Sequence, residues 1–325
     1  MTSQRDPLMN FAAMRAYLNG LCRRSLQTFW AVGRIMVPIM ILMRAAEAFG
    51  LIEGLSPILR PVMGLLNLPP EAAIIFVTSL FTGMYGAIAT LPVLIGLELT
   101  AAQVTSICAF ILIAHGLPVE QAIVRRAGGS FWGTSFLRIF TGCLAVLLID
   151  LASKTTGFLA EPQSLDHFRE FARIDASHWD WALSSLKGFL VLFAILVALL
   201  IMMDAFDRFG VTALINRLLA PVMRLSGLDP SVTSITTAGV LLGLSYGGGL
   251  IIAKGDDPSI TPEAKYYALC WLSLCHGLIE DVAVMVAVGG DFWVLMFGRL
   301  VLTLLVVRAL MFWHRLRKTE RFASS

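Results

Sequence analysis

Charge is what this chain has least of. Only 14% of its 325 residues are Asp, Glu, Lys or Arg, against 57% hydrophobic residues and a mean hydropathy of +0.78. A soluble chain carries about 25% charged residues. So few charges cannot cover the surface of a water-soluble domain of this length, and lipid must be the solvent for much of it. The net charge of +3 offers no field for a polyanion, and the basic residues sit at the ends of apolar runs, so nucleic acid is excluded as a partner. Cysteine is scarce and unpatterned. Cys22, Cys108, Cys143, Cys270 and Cys275 include no pair at metal-knuckle spacing, as expected of reduced thiols in a bacterial-type inner membrane. The motifs of covalent chemistry are missing too: there is no Gly-x-x-x-x-Gly-Lys-Ser/Thr loop, no His-Glu-x-x-His and no Gly-x-Ser-x-Gly elbow. No enzymatic activity and no cofactor are expected. Residues 1–27 place Arg5, Arg15, Arg23 and Arg24 among apolar residues at helical spacing, which reads as a cytoplasmic interfacial helix and not as a cleaved signal.

What is present is a duplication. Pro61-Val62-Met63 recurs as Pro221-Val222-Met223, and Phe49-Gly50 as Phe209-Gly210. Farther on the offset grows by one residue. His115-Gly116-Leu117 recurs as His276-Gly277-Leu278, Gly128-Gly129-Ser130-Phe131-Trp132 as Gly289-Gly290-Asp291-Phe292-Trp293, and Arg138 as Arg299. One residue is therefore inserted in the second half, near its glycine cluster. Apolar runs of spanning length, about 20 residues, fall near 27–49, 101–124, 131–150, 182–206, 264–288 and 292–314. Between the first and second run of each half, residues 51–97 and 211–254 turn at Asn67-Leu68-Pro69-Pro70 and Gly227-Leu228-Asp229-Pro230, then re-enter apolar sequence interrupted by glycine. Each reads as a re-entrant helical hairpin or broken helix.

The expected fold is an all-α polytopic membrane protein with two inverted-topology repeats, each of about three spanning helices plus the re-entrant element. Three crossings per half put Arg125-Arg126 and the tail with Arg315, Arg317, Lys318 and Arg321 on the side of the basic N-terminus, which the positive-inside rule makes cytoplasmic. Arg44 and Arg60 fall on the other side. The connector of residues 150–181 falls outside and is acidic, with Asp150, Glu161, Asp166, Glu170, Asp175 and Asp180 against Lys154, Arg169 and Arg173. An odd number of crossings gives the halves opposite orientations, and such transporters bind near the midplane where the halves meet.

Three groups of residues are candidates for function. The glycine breaks Thr82-Gly83-Met84-Tyr85-Gly86 and Ser245-Tyr246-Gly247-Gly248-Gly249 free backbone groups that must find protein or solute partners in lipid; close helix packing by small residues is the other reading. His115 with Glu120, and His276 with Glu280 and Asp281, place ionisable groups in or near apolar runs, where they usually face a cavity or a partner. On one continuous helix His276 and Glu280 share a face and Asp281 points elsewhere. A buried clamp between the halves, proton or ion coupling, and metal ligation by His115, His276 and Glu280 all stand open. Arg138 and Arg299 each lie inside a last span and need a carboxylate or carbonyl; structural pairing and an anion contact are both open. Asp204 reads as a solvated residue at a span end.

The stretches Pro61 to Gly86 and Pro221 to Gly249, with the block His276-Gly277-Leu278-Ile279-Glu280-Asp281, resemble the Gate or nucleoside-recognition domain of small stand-alone membrane proteins. The resemblance covers roughly residues 40–310. It is shared more distantly with concentrative nucleoside transporters and with the membrane part of ferrous-iron transporters, whose glycine break carries a cysteine that is Met84-Tyr85 or Ser245-Tyr246 here. It implies a hairpin-bearing, inverted-repeat transport core and leaves the solute open, because members handle very different ones. On that reading residues 1–27 are the interfacial helix, 28–150 the first Gate-like repeat, 151–181 the connector, 182–314 the second repeat and 315–325 the basic tail. The expected function is secondary transport or export of a small polar solute, with proton coupling through His276 and Glu280; a divalent metal-ion permease and a non-transporting scaffold or partner subunit are the alternatives. The expected partners are a small-molecule or ion substrate and membrane lipid, with a homo-oligomer left open.

Overall fold

A computed structural model describes residues 11–49, 60–165, 208–244 and 260–323, with scattered positions over 179–206 and residue 251. Among the described residues nearly all regular structure is helical, and three helical stretches are long and apolar enough to cross a membrane: Ala101–Arg126, Phe131–Thr156 and Val294–Leu316. The chain is an all-α membrane protein. The first helix, α1 (Phe11–Ala48), runs unbroken through residue 27, so the expected interfacial helix and the first apolar run are one element. It is tied to the second half at its polar end, where Arg24 donates twice to the Asp204 carboxylate at 2.9 and 2.6 Å. Asp204, read from the sequence as solvated, thus has an ion-pair partner at a partly exposed position. Farther along α1, the Phe29 ring meets Phe193 edge-on at 5.0 Å.

The duplication is visible in backbone detail. A helical stretch over residues 60–65 ends at Asn67, and α7 (Val211–Leu225) ends at Gly227; both terminal residues have positive φ, and in each the following N–H reaches back to a methionine carbonyl, Leu68 to Met63 at 3.0 Å and Leu228 to Met223 at 3.2 Å. This satisfies carbonyls that a helix end leaves open. Then come α2 (Ala72–Thr82) and α8 (Pro230–Leu242), which stop at Gly83 and Gly243 with nearly the same backbone, φ 91 and φ 97. The chain continues in α3 (Met84–Thr90) and a short 3-10 turn (Leu91–Leu94) in the first half. Next are α4 (Ala101–Ile113) and α9 (Pro262–Leu274), capped by the hydroxyls of Thr100 and Thr261. The repeat offset is one residue smaller at the Gly83–Gly243 pair than at these caps, so the inserted residue lies between Gly243 and Thr261.

Each of the two expected spans 101–124 and 264–288 is a broken helix. In the first, α4 gives way at Ala114–Gly116 to α5 (Leu117–Arg126); in the second, α9 gives way at Cys275–Ile279 to α10 (Glu280–Val288). The last helices are α6 (Phe131–Thr156), and α11 (Arg299–Ala323) entered through a π turn at Val294–Gly298. Ser130 caps the first by accepting from the Gly133 N–H at 3.1 Å, and Asp291 caps the second by accepting from Val294 at 2.9 Å. The outer faces stay apolar. Phe136, Phe140, Leu147 and Leu151 on α6 and Val301, Leu305 and Phe312 on α11 are exposed, a surface for lipid, with Trp132 and Trp293 exposed at the matching ends where an aromatic belt belongs.

At the centre lies α4, whose residues are buried almost throughout. Contacts across the centre are reciprocal. A Cβ placed on Gly129 would approach Leu269 to 3.1 Å, and one placed on Gly290 would approach Cys108 to 3.0 Å. Each pair is the other moved by one repeat, as two-fold packing requires. The two Gly-Gly motifs are therefore packing devices that let neighbouring helices close in. The connector adds a strap. Its β2 (Pro162–Gln163) pairs antiparallel with β1 (Leu99–Thr100) ahead of α4, and the Gln163 side chain donates to the Gly289 carbonyl at 2.7 Å.

Candidate functional site

The site grows out of the two helix breaks. When α4 ends, the Ile111 carbonyl loses its helical donor, and the His115 ring supplies one: Nδ1 lies 2.8 Å from it. His276 does the same to Leu272, again at 2.8 Å. A carbonyl only accepts, so each Nδ1 carries a hydrogen, and in the neutral form of each ring the Nε2 lone pair points the other way. The two Nε2 atoms face each other at 3.4 Å, with both rings buried. Residue and repeat copy thus meet at the point where the halves join.

Between them sits Glu120. Its Oε1 lies 3.1 Å from His115 Nε2 and 3.3 Å from His276 Nε2. Its Oε2 accepts from Arg138 Nη1, and the Arg138 Nε donates to the Ile113 carbonyl at 2.7 Å. Arg138 is fully buried; the carboxylate and carbonyl pair its Nη1 and Nε, while its Nη2 has no hydrogen-bond partner among the described residues. Gly116 makes room for the arrangement. It holds a left-handed φ of 59, which a side chain would strain, and a Cβ there would come 3.6 Å from the Glu120 carboxylate.

The second half repeats the frame but not the pairing. Arg299 Nε donates to the Leu274 carbonyl at 3.0 Å, the counterpart of the Arg138 bond. Its Nη1 and Nη2 are buried with no hydrogen-bond partner among the described residues. Asp281, the counterpart of Glu120, folds over Gly277, where a Cβ would lie 2.0 Å from Oδ2. It brings a carboxylate oxygen within 4.8 Å of ligand atoms of His115 and His276.

This overturns one reading of the sequence. His276 and Glu280 do not share a helix face, because the helix breaks between them; Glu280 opens α10 with its side chain exposed, and Asp281 takes the inward place. Of the carboxylates weighed for a metal reading, Glu120 and Asp281 lie beside the two histidines, where the sequence had offered Glu280. On the first-half side Glu120 joins Arg138 to both histidines. The signal for the first break was present in Gly116-Leu117-Pro118, since proline favours the first turn of a helix and not its interior. The second break has no proline.

The first glycine break abuts this centre. The Gly116 N–H donates to the Ser79 carbonyl at 2.8 Å, and Gly83 Cα lies 3.7 Å from where a Gly116 Cβ would be. Thr82 spends its hydroxyl on the Thr78 carbonyl at 2.6 Å, and Gly86 is buried in α3. Tyr85 turns a buried hydroxyl, without a hydrogen-bond partner among the described residues, to where the charges of Glu280 and Asp281 act on it. Val240, just before the second break, accepts from the Leu278 N–H at 2.9 Å. Ser245, Tyr246, Gly247, Gly248 and Gly249 lie outside the described residues. Apart from the polar centre, an apolar cavity of about 400 Å³ opens between α4, α6 and α11, lined by Leu112, Ile149, Leu302 and Arg299 among others.

Broken helices in an all-α membrane protein, meeting at buried histidine, carboxylate and arginine side chains, define the class. Residues 29–131 match the Gate family model, described as nucleoside recognition. The chain is 25% identical over 307 residues to the uncharacterized membrane protein YvoD of Bacillus subtilis (strain 168), which covers 91% of this chain and 94% of that protein. No solved structure gives a significant match.

Proposed function

We propose that the chain is a secondary transporter of a small polar solute, with its site near the midplane where the two repeats meet. The observation that carries this is the buried centre itself: His115 and Glu120 from one half meet His276 and Asp281 from the other, beside a glycine-broken helix. Buried ionisable groups at a junction of broken helices are costly in a bilayer and mark solute or ion paths. The Gate match over residues 29–131 supports a transport-related role. The inverted arrangement of the repeats in the inner membrane, with both termini cytoplasmic, belongs to this reading and rests on the positions of the basic residues. A coupling cation belongs where the lone pairs of both histidines and Glu120 converge.

The test is a thermal-shift panel of divalent metals, nucleosides, organic acids, amino acids and polyamines on the detergent-purified protein, followed by proteoliposome uptake of any hit. A ligand at 100 times its dissociation constant stabilises by about 2.7 kcal/mol. We expect one chemical class to stabilise the wild type, to be taken up saturably, and to lose its effect in Asp281→Asn. A panel without a hit, with uptake of every probe equal to that of protein-free liposomes, would favour the scaffold or partner-subunit reading instead.

A further inference from the structure

We propose that His115, His276 and Glu120, with Asp281 as the fourth ligand, form a binding site for a divalent transition-metal ion that bridges the two halves. The argument is geometric and stands apart from transport: an ion held here without flux would leave it intact. Three bare acceptor atoms converge, His115 Nε2, His276 Nε2 and Glu120 Oε1, at mutual separations of 3.1, 3.3 and 3.4 Å. With both Nδ1 positions occupied by hydrogen, all three facing atoms are acceptors until one of them takes up a proton. Lone pairs so close repel unless a proton or a metal cation sits among them.

The separations choose the cation. In a tetrahedral site with bonds of about 2.0–2.1 Å, ligand atoms lie about 3.3–3.4 Å apart. A triangle with the observed sides has its corners about 1.9 Å from its centre, so an ion lifted slightly off that plane reaches all three at bonding distance. Asp281, whose carboxylate lies within 4.8 Å of the histidine ligand atoms, closes the fourth corner with a small rotation. The outer contacts are those that metal-bound groups use: each imidazole gives its other N–H to a backbone carbonyl, and Arg138 holds the second oxygen of Glu120. Glu120 and Asp281 supply two negative charges for a dication, while Arg138 and Arg299 add positive charge nearby, so both carboxylates are needed. Two imidazoles and two carboxylates, without thiolate, suit Zn²⁺, Co²⁺, Fe²⁺ or Mn²⁺.

The experiment uses the full chain in detergent, stripped with a chelator and titrated with Co²⁺, whose visible absorption is intense when four-coordinate and faint when six-coordinate. The expected result is one Co²⁺ per chain with the intense spectrum, displaced by Zn²⁺. His115→Gln and His276→Gln should each weaken binding by roughly 100-fold or more. If those variants fold poorly, Asp281→Asn, at a half-exposed position, keeps the question open to decision: it should weaken binding by roughly 10-fold and alter the spectrum. Absence of Co²⁺ binding by the wild type, a faint six-coordinate spectrum, or equal binding by wild type and Asp281→Asn would each overturn the site.

Discussion

Replacing Arg138 and replacing Arg299 should have very different effects on stability, although the two arginines are repeat copies. Arg138 is fully buried and hydrogen-bonded to Glu120 and to the Ile113 carbonyl. Glu120→Leu leaves that guanidinium without its counter-charge, at a cost of about 3–5 kcal/mol. Arg138→Leu leaves a partly buried carboxylate with the two imidazoles as its remaining partners, at about 2–3 kcal/mol. Removing both partners together leaves no stranded charge, and the double variant should fall within about 1 kcal/mol of the wild type. The coupling between the two changes is then at least about 3 kcal/mol, far outside the additivity seen for independent sites. Arg299→Leu removes one hydrogen bond to Leu274 and two buried donors without partners among the described residues. Those effects oppose each other, so the net change should be under about 1 kcal/mol in either direction. Equilibrium unfolding in mixed micelles, read by tryptophan fluorescence on all four variants, measures the whole set. Additive single changes, or an Arg299→Leu as damaging as Arg138→Leu, would refute the claim that, among the described residues, the ion pair exists on one side only.

Two further outcomes follow from the packing. Gly129→Ala and Gly290→Ala should each destabilise by about 1–3 kcal/mol, because the new methyl would lie 2.6 Å from a Val124 methyl or 2.5 Å from a Leu295 methyl; Gly64→Ala, with nothing within 4 Å, should be neutral or slightly stabilising in the same unfolding assay. Asp229→Ala removes the carboxylate that accepts from the Ser231 N–H at 2.8 Å at the start of α8, and should cost about 1 kcal/mol, with Asp229→Asn restoring most of it.

Much of this architecture could be read from the residues. Low charge and long apolar runs required a membrane, and the recurring Pro-Val-Met, His-Gly-Leu and Gly-Gly-x-Phe-Trp blocks located the duplication. The glycine at each break was read correctly as a helix stop in the first half, at Gly83. In the second half the stop lies at Gly243, just ahead of the cluster the sequence drew attention to. The relation of His276 to Glu280 failed because helical spacing assumes an unbroken helix, and the carbonyls that hold His276 and Arg299 do so only because α9 stops. Nor could the meeting of Glu120 with His276 be read along the chain. It is a contact between halves, and repetition says which residues are equivalent without saying which ones touch. The asymmetry between Glu120 and Asp281 is subtler still: one extra methylene lets Glu120 reach Arg138 and both rings, while the shorter Asp281 folds over Gly277.

The face-to-face meeting of His115 and His276 carries an evolutionary consequence. A residue on a two-fold axis meets its own copy, so a half-length ancestor pairing with a second molecule of itself would have assembled both imidazoles from a single codon. In one continuous chain each copy can change alone, which a homodimer of half-length chains would forbid. The differences between Glu280 and Val119 and between Asp281 and Glu120 are changes of that kind, and both fall within a few residues of the facing histidines.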